Sequence, residues 1–183
     1  MRPIIKRVAA AAFAVLAAAG YSASSSDVPV ALERAALTAG LMVLTPEMEG
    51  TRLEAYPDSG GVWTICTGYT HGVQPGDVAT PDECDAYLRS SLRESVDFVL
   101  KRAPPVSLLC RIAIADMHYN AGPGAVRRST LLRLAESGDQ AGAAYQFMRW
   151  VYVGGRDCRD PASNCPGIVT RREIQRDLCL VGL

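Results

Sequence analysis

The chain is short of metal ligands. Its only histidines are His71 and His118, and it contains no Cys-x-x-Cys pair. That argues against a zinc site. No basic stripe interleaved with aromatics is present, so the chain offers no nucleic-acid-binding surface. No long low-complexity tail appears, and formal net charge is zero. No apolar run is long enough for a permanent membrane anchor. The longest, Val8 to Gly20, has 13 residues. As a helix at ~1.5 Å per residue it spans about 20 Å, short of the ~30 Å hydrocarbon layer. No cysteine precedes Cys66. Thiol exchange between the N-terminal segment and the rest of the chain is therefore excluded.

What is present fits one domain with a segment to spare. The chain has 183 residues and a 49% apolar fraction, enough for a real core. Residues 1–26 carry Arg2, Lys6 and Arg7, then the Ala-rich run, then the small residues of Tyr21-Ser22-Ala23. Basic flank, short apolar core and small residues make an export signal. The segment is either cut near Ala17-Ala18-Ala19 or Tyr21-Ser22-Ala23, or stays attached. Ala and Gly dominate its apolar run, so membrane insertion is only weakly favourable, which suits later escape. Residues 27–183 would then be the functional domain. Charge within it is uneven. Thr45 to Leu100 has three basic and ten acidic side chains, and Lys101 to Leu183 has twelve basic and seven acidic. Six cysteines behind an export signal favour at least one disulfide. Cys158 and Cys165 bracket a short polar loop and are the expected local pair. Pairing among Cys66, Cys84, Cys110 and Cys179 stays open.

The most informative stretch runs from Glu49 to Thr64, with the order Glu49-x8-Asp58-x5-Thr64. Two carboxyl groups and a hydroxyl on a Gly-rich polar loop suit acid-assisted cleavage of a glycosidic bond. One carboxyl must be protonated for the leaving oxygen. The other must stay ionised to stabilise the sugar cation or activate water.

The run Glu49-Gly50-x-Arg52-Leu53-x-Ala55-Tyr56-x-Asp58, followed by Gly61-Val62-Trp63-Thr64-x-Cys66-x-Gly68, resembles the catalytic segment of the phage-type lysozymes, the endolysins of tailed phages. Tyr119-Asn120-Ala121-Gly122-Pro123-Gly124, Ser129-Thr130-Leu131-Leu132 and Gly167-Ile168-Val169-Thr170-Arg171-Arg172-Glu173 resemble the same family. The resemblance covers Leu44 to the C-terminus and points to the lambdoid signal-arrest-release endolysins. It implies an α+β, lysozyme-like fold with a small antiparallel sheet lobe and a helical lobe joined by a long helix. It implies hydrolysis of the β-1,4 bond between N-acetylmuramic acid and N-acetylglucosamine in peptidoglycan, with no cofactor and no metal. Glu49 matches the acid, and Asp58 and Thr64 match the pair that positions water. That inverting arrangement places the two carboxyl groups ~6.5–9.5 Å apart, against ~5–5.5 Å in a retaining enzyme. Asn120 and Arg171 match positions facing the cleft and are substrate-contact candidates. Many members carry Gly-x-Gly-His where this chain has Cys66-Thr67-Gly68-Tyr69.

The resemblance further implies a monomer exported to the periplasm, first tethered to the inner membrane by its N-terminal segment. The acidic first half facing a basic second half would help hold a polyanionic wall mesh, or is ordinary surface charge. The rival readings are a lytic transglycosylase on the same bond and a wall-binding module with a decayed site.

Local signals place these residues on elements. Asp27 to Leu44 reads as a linker running into a helix with a stripe at Leu32, Leu37 and Leu41. Thr45-Pro46-Glu47 reads as a fresh helix start, with Glu49 ending that element. Gly- and Pro-rich Arg52 to Val78 reads as a small sheet carrying Asp58 and Thr64 opposite Glu49. Trp63 either lines the cleft or is buried. Thr80-Pro81-Asp82-Glu83 is a capping box opening a long helix that Pro104 and Pro105 end. Helices are expected from Ser107 to His118, Ser129 to Ala135 and Asp139 to Trp150. Asn120 to Gly124 reads as a break, Gly154-Gly155 as a loop opening, and Thr170 to Glu173 as another capping box. His118 reads as a packed core histidine.

Overall fold

Residues 1–23, 25, 27–58 and 60–181 are described in a computed structural model. Ser24, Ser26 and Ser59 lie outside the described residues, and with them part of the expected leader and one position of the Glu49–Thr64 run.

Helix α1 (Pro3–Ala18) starts with Pro, whose missing N–H costs nothing in a first turn. It buries Ile4, Ile5, Val8, Ala12 and Leu16. Spacing of four residues puts Ile4, Val8, Ala12 and Leu16 on one face. That face packs on α2 (Val30–Glu49), which buries Ala36, Leu37, Gly40, Leu41 and Leu44. A Cβ on Gly40 would lie 2.4 Å from Ile112 Cδ1 and 3.5 Å from Val8 Cγ1. Only glycine lets three helices meet there. The segment expected to leave or tether the protein is thus part of the main core here. Among the described residues no helix is long and apolar enough to cross a membrane.

Helix α2 corrects the expected break at Thr45-Pro46. It runs continuously through Pro46, and the Gly50 amide closes its last turn on Pro46 O at 2.9 Å. A proline removes one helical bond, but the apolar face on either side of it stays packed.

Strand β1 (Arg52–Pro57) pairs antiparallel with β2 (Trp63–Cys66), with Tyr56 opposite Thr64 and an irregularity between Arg52 and Tyr56. Ala55 N to Asp77 O and Ala79 N to Leu53 O add a third edge. Ile65, Cys66, Ala79 and Cys84 form a small second core there. The Cys66–Cys84 disulfide fastens this sheet to α3 (Pro81–Arg102). The expected capping box is formed: the Thr80 hydroxyl accepts from Glu83 N, and Glu83 Oε2 accepts from Thr80 N. Leu88, Leu92, Val96 and Val99 carry α3 into the main core.

Helix α4 (Leu108–Ala121) is the buried centre of the helical lobe, capped by Ser107. It extends past Asn120, so the break falls at Gly122. Helices α5 (Pro123–Arg127), α6 (Thr130–Glu136, capped by Ser129) and α7 (Gln140–Gln146, capped by Asp139) follow, and a 3-10 turn covers Phe147–Arg149. Gly154-Gly155 corrects to the tip of a hairpin between β3 (Tyr152–Val153) and β4 (Arg156–Asp157), since paired glycines suit a two-residue turn. Cys158–Cys165 is bonded, and Cys110–Cys179 ties α4 to α8 (Pro166–Val181). Because α8 begins at Pro166, Thr170 to Glu173 lies inside the helix and caps nothing. His118 is packed as expected, with Nδ1 2.9 Å from Ser95 Oγ and its ring stacked on Phe98.

Candidate active site

Glu49 is the last residue of α2. Gly50, at φ 74°, then turns the chain sharply into β1, a conformation side chains resist. The Glu49 side chain is 31% exposed, and its Oε1 accepts from Arg171 Nη1 on α8. Arg171 itself is buried. Its Nε and Nη2 donate side-on to Asp116 of α4, at 2.9 and 2.7 Å. Asp116 is fully buried and also accepts from Gln175 Nε2 at 2.6 Å and Thr45 Oγ1 at 3.2 Å. A buried carboxylate is tolerated only when donors of this kind surround it. Carboxylate, guanidinium and carboxylate thus join the ends of α2 and α8 through the centre of α4.

Asp58 follows β1 directly. Its Oδ1 accepts from the amides of Gly60 and Val62, at 2.8 and 2.9 Å. Its own amide donates to Val62 O at 2.9 Å. Thr64, buried on β2, donates its hydroxyl to the same Val62 O at 3.0 Å. Backbone at Val62 therefore holds both side chains. Among the described residues no hydrogen bond joins Glu49 to Asp58 or Thr64. The turn after β2 is held from the other lobe: Tyr119 on α4 donates its hydroxyl to Thr67 O at 3.2 Å. Burial raises the Tyr119 pKa, with Glu49 adding to the effect.

Asn120, at the end of α4, accepts from Arg172 Nη2 at 2.7 Å. Arg172 also donates to Trp150 O and Gln175 Oε1. Burial, then the charge of Arg171, brings the Arg172 pKa down to about 10. Tyr69 stacks on Tyr87 with centroids 4.2 Å apart. Trp63 is half-buried. Among the described residues no cluster of metal-binding side chains occurs.

This frame has known counterparts. Residues 46–175 match the profile of the phage lysozyme family. The chain belongs to that family. It is a lysozyme-type glycoside hydrolase, of the kind that breaks down peptidoglycan in host lysis. It is 38% identical to the SAR-endolysin of Bacteriophage PS119 over 140 residues, 74% of this chain and 78% of the relative. With the SAR-endolysin of Enterobacteria phage P21 the identity is 37% over 139 residues, 74% and 79% of the two chains. The active form of the P1 phage endolysin Lyz has the same fold, at TM-score 0.68 and 21% identity, covering 85% of this chain and 95% of that one.

Membership explains why the run from Glu49 to Thr64 could be recognised in the sequence. Asp116, Thr45, Tyr119, Arg172 and Gln175 could not be placed that way. One signal existed: Asp116 stands alone in the apolar run Ile112-Ala113-Ile114-Ala115-Asp116-Met117. A charge there must find a buried partner.

Proposed function

We propose that Glu49 protonates the bridging oxygen of the β-1,4 bond between N-acetylmuramic acid and N-acetylglucosamine, while Asp58 and Thr64 hold and activate water on the opposite face. The observation that carries this reading is the split character of the two carboxyl groups. Glu49 sits at a helix end, part-open, and is held by a buried side chain. Asp58 sits on an exposed turn and is held by backbone amides. Separate environments for two carboxyl groups are what an acid and a base need. Arg171 and Asn120 have their polar groups engaged within the protein, which favours holding roles over direct sugar contact. Attack by water from the far face inverts the anomeric carbon. Proton NMR during digestion of soluble peptidoglycan fragments tests this: the first-formed reducing end is α. A first-formed β end contradicts it, and anhydro ends in mass spectrometry would show transglycosylation instead.

The N-terminal segment completes the proposal. The chain is exported as a monomer, tethered in the inner membrane by residues 1–26 and then released uncut. The described arrangement fits the released form. Two features support it. α1 is weakly apolar for a membrane, and it has a well-formed alternative site in the core. Arg7 pairs with Glu47, two residues before Glu49, and Arg2 pairs with Glu173, two residues after Arg171. Release therefore braces both helices that carry the acid and its arginine. N-terminal sequencing of envelope-derived protein tests this: Met1 or Arg2 is expected, and a start near residue 20 or 24 refutes uncut release.

A further inference from the structure

We infer that Asp116 is a positioning residue that sets how Arg171 engages Glu49 and holds the helix end that presents it. This rests on the reading of Glu49 as proton donor.

The geometry is directional. A guanidinium is a rigid planar fork. Asp116 occupies its Nε and Nη2 edge with two near-parallel bonds, and only Nη1 is turned to Glu49. Each Asp116 oxygen accepts a second bond, from Gln175 Nε2 and Thr45 Oγ1. Thr45 stands one helical turn before Glu49 on α2. Asp116 therefore fixes the arginine and holds the helix that presents the acid.

The charge balance is as informative. Two carboxyl groups, Asp116 buried and Glu49 part-open, share one buried guanidinium. The groups around Glu49 are Arg171 and Arg172 of α8, Asp116 and Tyr119 of α4, and Glu47 of α2. Arg172 is turned to Trp150, Gln175 and Asn120, and Glu47 is engaged by Arg7 of α1. Arg171 is thus the cation that acts on Glu49 most directly, and Asp116 is the counter-charge that moderates it. Without that counter-charge the arginine acts on Glu49 alone.

Asp116→Asn tests the inference, because it removes the charge at nearly constant shape. kcat and KM on soluble peptidoglycan fragments are measured for the full chain, with Glu49→Gln beside it. Asp116→Asn is expected to lower kcat about ten-fold, with KM changed less than two-fold and a parental melting curve. Parental kcat overturns the inference, and so does a loss of kcat/KM carried by KM alone. Arg171→Lys keeps a charge and removes the fork, and covers the case of a poorly folded Asp116→Asn. It is expected to lower kcat at least ten-fold with KM within two-fold, and parental kcat overturns the inference. If Glu49→Gln keeps the parental rate, the proton-donor reading itself has failed.

Discussion

Asp58 and Thr64 meet at one backbone unit. Both are bonded to Val62, and Asp58 is exposed, so a change in Asp58 should disturb the proposed water site without emptying a core. Asp58→Asn is expected to lower kcat by about 10²–10⁴, the usual loss for a positioned acid or base. Circular dichroism melting should show a nearly parental transition, and a large drop in melting temperature would contradict a purely chemical role. His118 gives a separate, pH-dependent expectation. Burial, opposed by Glu94 and reinforced by Arg127, lowers its pKa from 6.5. The folded state thus keeps it neutral where the unfolded chain accepts a proton. Stability falls as pH drops from about 6.5 through the folded value, and above that window the group contributes nothing. Melting curves from pH 7.5 to 5 should show this fall, and His118→Gln should flatten part of it. An equally steep fall in the variant would sink the assignment. At this scale Glu49, Asp58 and Thr64 were legible as candidates because their neighbours form a recognisable run. Asp116 and Arg171 are 55 residues apart, and nothing local in either stretch announces their pairing.

Elements were legible where their signals are local. Thr80, Ser107, Ser129 and Asp139 all cap helices, because a side-chain oxygen beside a helix start has orphan amides to accept from. Thr170-x-x-Glu173 has the same signature and caps nothing. The helix had already begun at Pro166, beyond a disulfide loop whose closure depends on tertiary structure. Pro46 misled for a related reason: packing on both sides outweighs one lost helical bond. The disulfides rank by the loops they close. Removing Cys110–Cys179, separated by 69 residues, should cost about 4 kcal/mol by chain entropy. Cys66–Cys84 spans 18 residues and should cost about 3 kcal/mol. Cys158–Cys165 spans 7 and should cost about 2 kcal/mol. Urea unfolding of the three paired Cys→Ala variants measures this order, and a reversed order would show that strain or local packing dominates. Thr80→Ala should cost about 1 kcal/mol through its lost cap.

The whole molecule is organised around α2, which meets α1, α3 and α4 and ends at Glu49, the proposed acid. α1 contributes apolar surface to that centre, so its removal would expose core. Ile5→Ala is expected to cost about 2–5 kcal/mol, since Ile5 is buried in the main core. A fall in melting temperature of about 5–15 °C would report it. An unchanged melting temperature would mean that α1 is not docked in solution. Sequence alone showed α1 as a short, weakly apolar segment, and its destination in the core depends on Gly40 and Ile112, far from it in the chain.

The central claim is that Glu49 supplies the proton. Glu49→Gln keeps shape and a hydrogen-bond acceptor for Arg171 but has no proton to give. Turbidity loss of a peptidoglycan suspension should fall by at least about 10², with a parental melting curve. Clearing at the parental rate by that variant would contradict the account.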